Sequence, residues 1–200
     1  MTGRKNRQHG VTAAELMAQL EADPEYQRKS RERQAALDEK RKILRAAEEL
    51  IVSDLLAAGV DVNSVWDLVN TAVPYPSALH VLMKHLELGG YPDRVMESLG
   101  RALAVKPSVA FWDRLKALYL APRGAGEQEG VAVALAACAT SDQLDDLIGF
   151  LSLEDRGQSR IYFIRPILTV GGDRGRRIVE ALRADPVFAK EANALLSRRG

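Results

Sequence analysis

The stretch from Pro76 to Ala104, PSALHVLMKHLELGGYPDRVMESLGRALA, constrains the fold of this chain more than any other. Leu79, Leu82, Met83 and Leu86 recur at helical spacing in its first half, as do Val95, Met96, Leu99 and Leu103 in its second. Between them Gly89-Gly90 supplies a left-handed stop, and Pro92 stands where a starting helix tolerates a missing N–H. The stretch is predicted to be an αα-hairpin with one apolar face per helix. Such a hairpin cannot bury its stripe alone, so it requires neighbours.

The sequence supplies them at a regular interval. First helices of successive pairs are expected to start near Pro76, Pro107, Ser141 and Asp173, in steps of 31, 34 and 32 residues. Their partners are expected over 92–104, 126–139, 158–170 and 186–198, giving four helix pairs. Only 6% of residues are aromatic, and the 46% apolar content is mostly Leu, Ala and Val, which favours stacked helices over a sandwich or barrel. The expected class is all-α, arranged as a helical solenoid.

Upstream of the repeats, residues 1–10 carry Arg4, Lys5, Arg7 and His9 with nothing to pack, and read as a disordered basic tail. Residues 11–62 form a second region. Thr12 and Glu15 make a capping box for a short helix, and Asp23-Pro24 opens a long one running without glycine or proline to Gly59. Its first half is mostly charged, through Arg28, Lys29, Arg31, Arg33, Lys40, Arg41 and Lys42 against Glu32, Asp38 and Glu39. Its second half is amphipathic through Leu44, Ala47, Leu50, Ile51, Leu55 and Leu56 and is expected to dock, leaving the first half to project. The basic half reads as a solvated face with pairs such as Asp38 to Lys42, as a contact for nucleic acid or an acidic partner, or as a coiled-coil seam through Leu37, Leu44, Ile51 and Ala58.

From Asn63 to Gly200 the chain resembles the HEAT-repeat family of α-solenoids, in particular small bacterial HEAT-like proteins. The resemblance rests on YPSALHVLMKHLELGGYPDRVMESLGRALAVKP, on FWDRLKALY and on GQSRIYFIRPIL. It implies a right-handed superhelix over residues 63–200 whose second helices line a concave face. Members of the family mostly bind other macromolecules there, and some bacterial relatives act as immunity or accessory proteins. A few HEAT-like relatives are glycosylases or chromophore lyases.

On that arrangement Arg94, Glu97, Ser98 and Arg101 line the face opposite Val95, Leu99 and Leu103. In the third pair Arg160, Tyr162 and Arg165 join them, set among Ile161, Phe163, Ile164, Ile167 and Leu168. An arginine in such apolar company is either paired to a carboxylate, with Asp142, Asp145, Asp146, Glu154 and Asp155 at hand, or presented to a ligand. Pro166 is expected to kink or interrupt its helix, and Gly124-Ala125-Gly126 to mark the loosest loop.

Catalytic chemistry finds little support in these residues. His80 and His85 diverge by about 140° around a helix and cannot ligate one metal together. Cys138, the lone cysteine, lies in VAVALAACA and reads as a buried thiol in a reducing compartment. Trp112 and Asp113 share a helix with Phe111, Leu115 and Leu118, which argues for core packing. No glycine loop, nucleophile elbow or zinc spacing is present, so no cofactor is expected. No stretch approaches the roughly 18 apolar residues of a membrane span. The expectation is a cytoplasmic, non-catalytic scaffold for a protein partner, with nucleic-acid binding through the basic helix and the arginine-rich last repeat as the alternative.

Overall fold

The computed structural model describes residues 12–121 and 123–197; the basic tail expected over 1–10, and Arg198 and Arg199 of the last repeat, lie outside them. The described residues are all-helical, with eleven α-helices, several 3-10 turns and no strand. Two compact units divide between Ile43 and Leu44, whereas the repeat pattern alone places the boundary at 62–63.

The first unit holds α1 (Ala13–Ala22) and the start of α2 (Pro24–Ala57). The Thr12 hydroxyl accepts from the Glu15 amide at 3.3 Å while the Glu15 carboxylate accepts from the Thr12 amide at 2.9 Å, so both free donors at the helix start are satisfied. Asp23 caps α2 by accepting from the Glu25 amide at 2.9 Å. No residue of α2 before Glu48 is buried. Its surface pairs are Lys29–Glu25, Arg28–Glu32 and Arg41–Asp38, so Asp38 takes Arg41 one turn on rather than Lys42.

In the second unit α2 buries Ile51 and Leu55 and half-buries Leu44 and Ala47. Leu50 and Leu56, expected to dock, are 58% and 59% exposed. Each lies about 100° from a buried neighbour, beyond the edges of a stripe centred on Ile51 and Leu55. Ile51 is fully buried within the unit, so the Leu37–Leu44–Ile51–Ala58 row is not free to be a coiled-coil seam. Gly59 at φ +81° ends the helix, and the Val60 amide folds back onto the Leu55 carbonyl at 2.9 Å.

The hairpin forms as α4 (Ala78–Leu88) and α5 (Asp93–Ala102), after a short α3 (Trp66–Val69). Gly89 and Gly90 have φ +65° and +82°, and Pro92 is the residue just before the helix rather than its first. Then follow α6 (Trp112–Leu120), α7 (Ala125–Cys138), α8 (Leu144–Leu151), α9 (Ile164–Val170), α10 (Gly172–Ala181) and α11 (Ala189–Ser197). Single 3-10 segments at Lys106–Phe111 and Ser141–Gln143 lead into α6 and α8, and a longer one at Glu154–Phe163 leads into α9. The run to Pro166 is interrupted because α9 starts afresh at Ile164, placing the proline in a first turn where its missing N–H costs nothing.

One packing relationship dominates. α5 lies along α7 at backbone contact, since a β-carbon on Gly130 would sit 2.5 Å from the Glu97 carbonyl oxygen. At the head of the pair both Asp93 carboxylate oxygens accept from the Gly126 amide, at 3.0 and 2.9 Å. Gly124 and Gly126 therefore belong to a clamp, not to the loose loop the glycines suggested: a β-carbon at either would strike Asp93. α4 packs on α5, α6 on α7 and α10 on α9, around a core that includes the Tyr119, Phe150 and Phe163 rings with centroids 4.9 to 5.2 Å apart.

Candidate functional site

The close approach of α5 and α7 places charged side chains from three segments on one face. Arg94 at the start of α5 lies over the Trp66 ring, 4.2 Å from its centroid, and donates to Glu97 at 2.6 Å. Glu97 also accepts from Arg101 Nε at 2.7 Å. Arg101 reaches across to α7 and donates to Glu129 Oε1 at 2.5 Å, and the Tyr162 hydroxyl donates to the same oxygen at 2.6 Å. One chain of charge-assisted hydrogen bonds thus crosses α5, α7 and the 3-10 segment before α9. Burial disfavours the Arg101 charge, but Glu97 and Tyr162 outweigh it and hold its pKa above the ordinary arginine value. Burial, and then the bond to Glu129, push the Tyr162 hydroxyl up.

The hydrogen bonds thus link Arg94, Glu97, Arg101 and Tyr162, with Glu129 as the member that sequence did not mark. Glu129 is one of two glutamates, with Glu127, that precede the run of small apolar residues in α7, and nothing in that pattern tells the two apart.

Two nominated residues lie elsewhere. Ser98 is 2% exposed and its hydroxyl donates to the Val95 carbonyl at 2.8 Å. Three residues from Val95, it is only about 60° away around the helix and shares its buried side. Arg160 is buried too, and its guanidinium satisfies the carbonyls of Leu151 at 2.9 Å and Gly157 at 3.0 Å while facing the Phe188 ring. Among the described residues it takes no carboxylate partner: Asp145 holds Arg174, Asp146 holds Lys116 and Trp112, Asp155 holds Arg156, and the guanidinium is turned to the two carbonyls instead.

Arg165 is exposed and has no ion-pair partner among the described residues. It stands on the rim of a cleft of about 600 Å³ between α7, α9 and α11. Val133, Ala136, Ala137 and Pro166 are among the residues that form its apolar lining, with Tyr162, Lys106 and Glu191 at its edges.

The sequence matches no known family, and neither a curated protein nor a solved structure is similar to it. The chemistry of the chain rests on its own geometry.

His85 and Cys138 are engaged internally, whereas His80 is exposed with its ring edge-on to Phe111, centroids 5.0 Å apart. His85 is fully buried, with Nε2 2.9 Å from Asp54 Oδ2 and Nδ1 2.7 Å from the Tyr91 hydroxyl. Lys84 joins the same Asp54 oxygen at 2.8 Å, and bonds from Lys84 and His85 hold this carboxyl below its ordinary pKa. Burial pushes the Cys138 thiol up to about 11, so it carries no thiolate at neutral pH. Trp112 is a core side chain, stacked near Phe150 at 6.4 Å and bonded to Asp146 at 2.8 Å. Glu48 and Glu127 are buried carboxyls raised chiefly by burial.

In the first unit Arg28, Lys29 and Arg41 are neutralised by their pairs, and Arg31 donates to the Gln27 carbonyl at 3.3 Å. Arg33, Lys40 and Lys42 are exposed, and no carboxylate pairs with them among the described residues. No described helix is long and apolar enough to cross a membrane.

Proposed function

We propose that this protein is a non-catalytic binding scaffold of HEAT-like type, a right-handed α-solenoid of helix pairs that holds a protein partner on the face made by α5, α7 and α9. The observation that carries the reading is the Arg94–Glu97–Arg101–Glu129–Tyr162 chain, which links charged groups of α5 and α7 to a tyrosine of the 3-10 segment before α9. Links recurring at one period support the repeat: Asp93 to Gly126, Lys106 to Ala139 and Tyr162 to Glu129 each span 33 residues. Preordered side chains on stacked helices suit macromolecular recognition, since little entropy remains to be lost on binding. A cytoplasmic immunity or accessory role fits a scaffold whose thiol and His85 are spent on packing.

The reading is tested by capture from native extract under nuclease, comparing the wild-type chain with Arg94→Glu. Arg94 is exposed and can be reversed without emptying the core. A protein retained by the wild type and lost by Arg94→Glu supports the scaffold. Recovery of nucleic acid that is indifferent to Arg94→Glu but lost with salt and with Arg33→Glu/Lys40→Glu would move the function to the basic helix, where Arg33, Lys40 and Lys42 have no carboxylate partner among the described residues.

A further inference from the structure

Resting on that scaffold reading, we infer that the cleft between α7 and α9 is the part of the face that grips the partner, and that it takes a peptide segment pairing an aliphatic side chain with an adjacent carboxylate. Val133, Ala136 and Ala137 of α7 line the cleft together with the larger Ile161, Tyr162 and Lys106, and the two neighbouring alanines take up little of its space. The cleft is partly open to solvent rather than a closed chamber, which suits a chain segment better than a free small molecule. Its volume, about 600 Å³, is within the range that seats several side chains.

Charge selects among segments. On α9, Ile164, Pro166, Ile167 and Leu168 are all buried, and Arg165 with Thr169 one turn later is what the helix turns outward. Every other arginine of the candidate face is held: Arg94 and Arg101 by Glu97, Arg101 also by Glu129, and Arg160 by carbonyls. Arg165 alone among them keeps its fork of donors free, beside an apolar floor that excludes water from one side of any bond it makes. Lys106 of the lining spends one donor on the Ala139 carbonyl at 3.2 Å and keeps the rest. Glu191 is the single acidic group of the lining, so the edges carry two positive charges against one. A guanidinium fork matches a carboxylate in two parallel bonds, while the floor takes the neighbouring aliphatic side chain. A basic segment would meet repulsion from Arg165 and Lys106 and have Glu191 alone to pair with.

The test is selection of a phage-displayed random dodecapeptide library on the full chain, followed by titration of the winning peptide against wild type, Arg165→Glu and Ala137→Trp. Arg165 is exposed and Ala137 is half-buried in the cleft lining, and an unchanged thermal midpoint verifies that each variant is folded. Winners that place Asp or Glu beside Leu, Ile or Val are expected, with binding weakened about tenfold or more by each variant. Replacing the acid of the winner by lysine should restore affinity for Arg165→Glu alone. Winners without an acid, no enrichment at all, or binding by either variant as tight as by the wild type would overturn the assignment. Loss of the captured protein with Arg94→Glu but not with Arg165→Glu or Ala137→Trp would remove the cleft and leave the scaffold standing.

Discussion

Gly100 and Gly130 meet backbone to backbone, so closely that a β-carbon on Gly100 would fall 2.4 Å from the Gly130 carbonyl carbon. Both glycines are helical, and each is required by its neighbour rather than by its own dihedrals. Any side chain there must drive α5 from α7, and with them the residues that bridge the two helices.

Gly130→Ala is therefore expected to destabilise the protein by about 1–3 kcal/mol through overpacking. For a chain of this length that lowers the thermal midpoint by roughly 2–4 °C per kcal/mol. Gly149→Ala, inside α8 with nothing within 4 Å of the added carbon, should instead gain about 0.5–1 kcal/mol. Urea denaturation of the two variants decides; equal stability of Gly130→Ala and wild type would refute the backbone contact.

Tyr91→Phe should cost about 1–3 kcal/mol, although it deletes one oxygen from a half-buried residue. His85 Nε2 donates to the Asp54 carboxylate, which can only accept, and Nδ1 has the tyrosine hydroxyl as its one partner. Phenylalanine leaves that nitrogen unpaired inside the protein. Equilibrium unfolding at pH 7 measures the loss, and a neutral substitution would mean that the hydroxyl is not the partner.

Glu127→Gln is expected to stabilise the fold at pH 7 and to lose that advantage as the solution is acidified. Burial raises the Glu127 pKa, nearby Arg123 opposes the rise and Asp93 adds to it. A carboxyl raised on folding weakens the native state wherever it must be charged, which is above its folded pKa. The penalty shrinks as pH falls through that value toward the ordinary glutamate range, and vanishes below it. The difference in unfolding free energy between variant and wild type at pH 7 and at pH 4 provides the measurement; a gap that widens on acidification would reverse the sign and the argument.

The helices and their stops were legible because they depend on local signals. Thr12 with Glu15, Asp23 with Pro24, Gly59, and Gly89 with Gly90 each act within a few residues of themselves, and each holds the place the sequence assigns it. What escaped depends on partners distant along the chain. Gly126 looks like a breaker until Asp93, 33 residues earlier, is seen to clamp its amide. Leu50 and Leu56 satisfy helical apolar spacing, but only packing decides where the buried stripe ends. Of the face residues, Arg94, Glu97, Arg101 and Tyr162 were readable from their helix side, whereas Ser98 and Arg160 needed the depth of burial to be told from their neighbours. Glu129 was invisible because its role is to receive two donors from other helices.

The spacing of the long links carries a consequence for how the chain assembles. Tyr75 reaches Ala102, Asp93 reaches Gly126, Trp112 reaches Asp146 and Glu129 reaches Tyr162, separations of 27, 33, 34 and 33 residues. None of these links waits for the two ends of the molecule to find each other. Each segment can close onto the one made just before it as it leaves the ribosome, so order spreads by accretion from the α4–α5 hairpin, and loops of nearly constant length keep the entropic cost of each closure about the same.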